Sequence, residues 1–224
     1  MTFLELCQRL AREVDASGSG PSAVTGQTGE NRRIVDWVAS AWQDIQLQRN
    51  DWNWMRGTFS FTTIADQDTY TATEAGIASR CRAFDKEDIR IYTTTTGVGD
   101  EMTLPFIPYE DWRYIYRVGT QTAQRPIACT IMPTNSLGLG PKPTAGYTVA
   151  GEYRKSAQTL AADADEPEMP AEFHMAIVYR AMMMYGRFTA AGEVFNDGEQ
   201  NYRRILTALV RNQTPMVRMG GALV

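Results

Sequence analysis

Four of the five tryptophans, Trp37, Trp42, Trp52 and Trp54, fall in one stretch, NRRIVDWVASAWQDIQLQRNDWNWM, over residues 31–55. Within it Ile34, Val38, Ala41, Trp42 and Ile45 recur at helical spacing, while Arg32, Arg33, Asp36, Gln43, Asp44 and Gln46 fall mostly on the opposite side. This pattern predicts a long amphipathic helix. Thr28 is placed to cap it, and Glu30 puts a carboxylate at the positive end of the helix dipole. Burying a large apolar side chain contributes on the order of 1.5–3 kcal/mol, and aromatics dominate core energetics, so the indoles are expected to anchor a core rather than to form a ligand-stacking platform. At residues 51–55, DWNWM, two indoles and a methionine crowd beside charged residues as helical periodicity gives way to strands. That end is expected to be a junction between layers or between subunits.

A chain of 224 residues with 43% hydrophobic content can bury a sizeable core, as one domain or as a body with an inserted second layer. Its formal charge of -4 and pI near 5.2 argue against a nucleic-acid binder that works by bulk phosphate neutralisation; DNA can pass nearby without being gripped. The N-terminal MTFLELCQRLAREVD interrupts its apolar positions with Glu5 and Arg9, which does not suit a signal peptide, and no segment has the ~18–20 apolar residues of a membrane span. The expectation is a soluble chain that stays where it is made. Cys7, Cys81 and Cys129 are few, odd in number and far apart, which reads as reduced thiols rather than a disulfide framework.

Along the chain, Phe3, Leu4, Leu6, Cys7, Leu10 and Val14 place a first helix in residues 2–16. The Gly-, Ser- and Thr-rich residues 16–29 read as a flexible loop; without a preceding strand and a Gly-Lys-Ser/Thr ending they do not make a phosphate cradle. From Thr58 the period becomes two, and residues 58–71 predict a hairpin turning at 66–68. Strands are expected at 88–93, 102–107, 127–131 and 147–153, a mobile hairpin tip at 93–100, a short helix after Pro108, and a Pro- and Gly-rich turn region at 133–146. Together these make a small antiparallel sandwich or open barrel. The acidic residues 161–168 read as a solvated connector, since their spacing lacks the glycine and bidentate glutamate of a calcium loop. Pro170 then opens a helix over 171–190 that is apolar almost all round through Met175, Tyr179, Met182 and Met183, as suits a helix buried in its own bundle or also against a neighbouring subunit. Asn196 or Asp197 is expected to cap a last helix, and residues 214–224 form an extended tail. The fold class is therefore α+β: a helical body from residues 1–56 and 156–213, an inserted antiparallel β region over 57–155, and the tail.

Catalytic chemistry is not visible. No Gly-x-Ser-x-Gly elbow is present, and the single histidine, His174, sits in an apolar helical stretch and reads as structural. No paired cysteines offer a zinc site, so neither a cofactor nor a metal is expected.

The order of parts does carry a resemblance. Trp42-x-x-Ile45-Gln46-x-x-Arg49-x-x-Trp52-x-Trp54-Met55 followed by Phe59-x-Phe61 and Tyr70 resembles the head-to-tail adaptor (connector) proteins of tailed bacteriophages, which include the tail tubular protein of short-tailed phages. So does Gly151-Glu152-Tyr153 ahead of Met169-Pro170-x-Glu172-Phe173-His174-x-Ala176-Ile177, with Ala181 and Tyr185-Gly186. The resemblance implies a structural virion protein rather than an enzyme. It would form a twelve-fold ring with copies of itself beneath the portal protein and meet the next tail protein, whether nozzle, stopper or tail terminator. DNA would pass through the channel without specific binding, and no membrane would be involved. In such a ring Trp37, Trp42, Trp52, Trp54, Met175, Tyr179, Met182 and Met183 are expected at a subunit interface or in the core. Arg211, Pro215, Met216, Val217, Arg218, Met219, Leu223 and Val224 are expected to dock on the portal, because apolar residues in an unsupported tail are poor solvent-facing groups and the arginines can meet acidic partners. A reading from another class is a carbohydrate-binding or tail accessory module, which would expose aromatics on the β region.

Overall fold

The computed structural model describes residues 1–16, 18–144 and 146–214. Five helices run α1 Phe3–Glu13, α2 Gly29–Leu47, α3 Tyr109–Tyr116, α4 Met175–Thr189 and α5 Gly192–Gln213. The strands are β1 Arg56–Thr62, β2 Thr69–Tyr70, β3 Cys81–Phe84, β4 Arg90–Thr93, β5 Met102–Thr103, β6 Ala128–Ile131, β7 Leu137–Gly140 and β8 Tyr147–Lys155. They fall into two compact units, a helical one built from Met1–Met55 and the chain from Ala157 onward, and a β unit of Arg56–Ser156. The architecture is α+β, with N- and C-terminal helices around an inserted antiparallel sheet region.

In the helical unit, α1 starts with reciprocal capping: the Thr2 hydroxyl accepts the Glu5 amide at 3.3 Å and the Glu5 carboxylate accepts the Thr2 amide at 2.9 Å. Helix α2 starts after Thr28, although the Thr28 side chain makes no capping bond. It ends at Leu47, well short of residue 55. The chain turns back so that Trp52 is fully buried and its indole N–H donates to the Ile45 carbonyl at 3.1 Å, after which Asn53–Met55 forms one 3-10 turn. Gln46 also departs from the sequence reading, since it is buried rather than solvent-facing. Its amide pairs with the backbone of Gln158, accepting the N–H at 2.6 Å and donating to the carbonyl at 3.0 Å. Gln158 repeats the motif, accepting from the Glu168 N–H and donating to the Glu166 carbonyl. Asp163 accepts the Val24 N–H at 2.6 Å, and the Asp165 carbonyl accepts the Phe3 N–H at 2.7 Å. The acidic residues 161–168 are thus a strap bonded to the helical unit and not a free connector.

After the 3-10 turn Ala171–Phe173, α4 packs against α1, α2 and α5, which accounts for its apolar circumference. Ala190 adopts a left-handed conformation that ends α4, and α5 starts at Gly192 and runs straight through Asn196 and Asp197, the residues expected to cap it. The two helices cross closely because of glycines: a Cβ on Gly186 would lie 2.8 Å from the Phe195 nitrogen, and one on Gly198 would lie 3.0 Å from the Tyr179 carbonyl oxygen.

In the β unit, one sheet has the order β1-β8-β4-β5, with β3 also on β8, and the second has the order β2-β7-β6. Residues 58–71 do not form the expected hairpin. Strand β1 pairs antiparallel with β8 along its whole length, from Arg56↔Arg154 to Thr62↔Thr148, while β2 pairs with β7 in the other sheet. The Tyr70 ring explains the wider turn: it packs 4.6 Å from Phe61 in the core and its hydroxyl donates to the Gln67 carbonyl at 2.8 Å. Strand β7 lies inside the stretch read as turns; a Cβ on Gly138 would stand 2.7 Å from the Thr130 methyl, so glycine is required by packing. The β4–β5 hairpin forms as expected, although β5 is only Met102–Thr103 and its tip is braced. Asp100 accepts from the Thr93 amide and hydroxyl and pairs with Arg125 at 2.9 Å. These contacts, the Thr93 hydroxyl foremost, hold its carboxyl below the usual range. One core joins both sheets, with Phe59, Phe61, Ile91 and Val149 on one side and Tyr70, Cys129, Leu137 and Leu139 on the other.

Candidate assembly surfaces

The structure separates the eight Trp, Met and Tyr positions singled out above by depth. Trp42 and Trp52 are fully buried and Met182 and Met183 nearly so. Trp54 stacks at 4.5 Å on Trp52 and 6.4 Å on Trp42, and Met175 and Tyr179 pack half-buried against the same core. Trp37 is different. Helical geometry turns it outward from the Val38 and Trp42 face, where its ring meets Tyr185 edge-on at 5.5 Å and Phe188 at 5.6 Å.

Phe188 is 57% exposed and the guanidinium of Arg33 lies 4.3 Å over its ring. Beside it, Arg187 covers Phe195 at 5.3 Å, and Arg32 is exposed near Asp36. The Tyr185 hydroxyl reaches the Glu30 carboxylate at 3.4 Å, and burial followed by that negative charge pushes its pKa up. The α4 C-terminus and the α2 N-terminus therefore carry an arginine and aromatic patch. Apolar spacing alone puts Phe188 on the same stripe as Ala181 and Met184, yet the structure leaves it in solvent at the helix end.

Deeper in the unit the polar groups are structural. Arg180 donates twice to the Asp44 carboxylate, at 2.8 and 3.2 Å, and its guanidinium lies 5.9 Å from the Tyr202 ring. His174 is buried between the N-terminal amine, 2.9 Å from Nδ1, and the Met169 carbonyl, 3.0 Å from Nε2. Burial lowers its pKa, so the neutral ring accepts at Nδ1 and donates from Nε2. Burial likewise pushes the Cys7 and Cys129 thiols up to about 12. Among the described residues no cluster of His, Cys, Asp and Glu is placed to hold a metal ion, and no helix is long and apolar enough to cross a membrane.

The model of the SU10 adaptor protein family matches residues 1–222. The chain belongs to the SU10 adaptor protein family. It is a family of phage head-to-tail adaptors, so this SU10-type chain is a phage adaptor protein and a virion component. No curated protein matches it.

Two further regions of the SU10 adaptor chain are candidate surfaces besides the patch. Arg211 is exposed on the last turn of α5, whereas Pro215, Met216, Val217, Arg218, Met219, Leu223 and Val224 lie outside the described residues. On the β unit, α3 exposes Tyr114, at 78%, and Ile115, with Val118 exposed just beyond its end, while Trp112 is fully buried beneath Arg117. Of the strand aromatics, Phe59, Phe61, Tyr70 and Phe84 are in the core of the β unit, whereas Tyr92, Tyr147 and Tyr153 are half-buried.

Proposed function

We propose that this adaptor closes into a twelve-fold ring beneath the portal protein at the head-tail interface, presents a platform to the next tail protein, and leaves a channel through which DNA passes. The observation that carries the reading is the family match along residues 1–222, which covers both the helical and the β unit. The role is structural rather than catalytic. A ring made by head-to-tail contacts needs two different surfaces per subunit. The charge of -4 supports a channel that does not hold phosphates. The next tail component is a nozzle, stopper or tail terminator.

The portal contact is assigned to the C-terminal segment. Proline lacks the amide hydrogen that a helix interior uses, which is why the sequence marks Pro215 as the start of a separate segment. The residues that follow are apolar apart from Arg218 and the glycines, and Arg211 adds a second positive charge on the last turn of α5. Seating these apolar residues in a portal groove takes them out of water. Deleting residues 214–224 is expected to leave melting intact and to abolish binding to purified portal rings. A truncated protein that binds portal with unchanged affinity would remove the tail from this role.

A further inference from the structure

We infer that the arginine and aromatic patch at the α4 C-terminus takes the acidic strap of a second copy of this chain. The inference rests on the ring reading above and names its two faces.

The patch consists of Arg33 stacked on Phe188, Trp37 beneath them, and the exposed Arg187. Arginine and aromatic side chains together are the composition of protein interface centres: the guanidinium sheds water more readily than an ammonium and makes paired bonds to carboxylates, and the rings supply apolar area. A 57% exposed phenylalanine in contact with a half-buried tryptophan is the kind of surface that association covers.

What complements it lies on the same helical unit but at the other end. Glu166 and Glu172 are exposed on the strap and on the turn that leads into α4, close to where His174 meets the N-terminal amine. Helix α4, of 15 residues, separates this acidic end from the patch by about 22 Å at 1.5 Å per residue. The strap is held in shape by its own bonds, through Gln46, Gln158, Asp163 and Asp165, so it presents its carboxylates without further ordering. Among the described residues the free arginines of the patch, Arg33 and Arg187, and the carboxylates of the strap are opposite in charge, and they stand at opposite ends of α4. A patch and its complement so placed cannot satisfy each other within one subunit, and they join copies head to tail, the geometry that closes a ring.

The test is charge reversal in the full chain, with assembly on purified portal rings read by native mass spectrometry and negative-stain images. Arg33→Glu with Arg187→Glu, and separately Glu166→Arg with Glu172→Arg, are expected to keep wild-type melting and to lower assembly at least tenfold. All four substitutions together are expected to restore it, because the reversed faces again match. Either pair assembling like the wild type, or the fourfold variant remaining as defective as the pairs while folded, would overturn the assignment. Wild-type protein that forms no ring on the portal would instead overturn the ring reading and this inference with it. Should the Arg33→Glu pair melt early, Phe188→Ser alone, which changes no charge, must also reduce assembly, and full assembly by that variant would count against the patch.

Discussion

At the scale of single residues, burial decides consequence. Trp42 has no solvent exposure, and truncating a fully buried large side chain costs its transfer free energy plus a cavity, so Trp42→Ala is expected to lose about 3–5 kcal/mol in a denaturant melt. Near-wild-type stability would contradict its place in the core. His174 sets a pH dependence with a definite sign. Its folded pKa is lowered by burial below the ordinary 6.5, so the unfolded chain binds the extra proton first as pH falls. Its contribution is fully present above pH 6.5 and declines as the solution is acidified below that value. Melting temperature should therefore drop between pH 7 and pH 5, a window above the titration of the carboxylates, and His174→Gln should flatten this slope. An unchanged slope in that variant would show that other groups carry it. The residues whose burial the sequence revealed were those with a period: Ile34, Val38, Trp42 and Ile45 on α2, and Phe59 and Phe61 on β1. Gln46 was misplaced because its chemistry argues for solvent, and its burial is satisfied chiefly by the backbone of Gln158, 112 positions away, with a further bond to the Trp42 carbonyl.

At the scale of elements, hydrophobic periodicity located the helices and most strands, and failed where pairing or close packing is long-range. The expected hairpin at 58–71 is local, but β1 gains a full-length partner in β8, and nothing in either segment alone announces that choice. Strand β7 was hidden by glycines that packing requires at Gly138. The start of α5 was placed five or six residues late because Asn196 and Asp197 are good capping residues; Ala190, in a left-handed conformation that favours glycine, ends α4 instead. The α4–α5 crossing gives a paired prediction. At Gly198 an added methyl would press on the Tyr179 carbonyl, and backbone does not yield, so Gly198→Ala should cost about 1–3 kcal/mol despite its better helix propensity. At Gly192 no atom lies within 4 Å of the added Cβ, and the same change should stabilise by up to about 1 kcal/mol. Equal effects at the two sites, measured by thermal melts, would refute the close crossing. For the strap, Gln46→Leu leaves the Gln158 N–H and carbonyl without their partners, at a cost of about 1–3 kcal/mol. Hydrogen exchange over residues 157–168 should accelerate in that variant while β8 keeps its protection, and unchanged exchange in the strap would show that Asp163 and Asp165 hold it alone.

At the scale of the whole molecule, the order of the elements along the chain carried more than any motif. A first helix, a tryptophan-rich helix, an inserted antiparallel region and a closing helical pair were readable as an adaptor pattern, and the chain belongs to an adaptor family. The proposed assembly surface was less legible, because exposure at a helix end depends on where neighbouring helices stop. Phe188 and Arg33 are 155 positions apart, and they become a patch only when α2 and α4 pack. The central claim is that this chain works as a closed ring beneath the portal. It is tested most directly by native mass spectrometry of the purified protein with and without purified portal rings. The account predicts one added species whose mass equals the portal ring plus twelve 25.1 kDa subunits, a stoichiometry implied by the resemblance to phage connectors. A portal ring that stays bare, or that binds isolated subunits without reaching a closed complement, would contradict it.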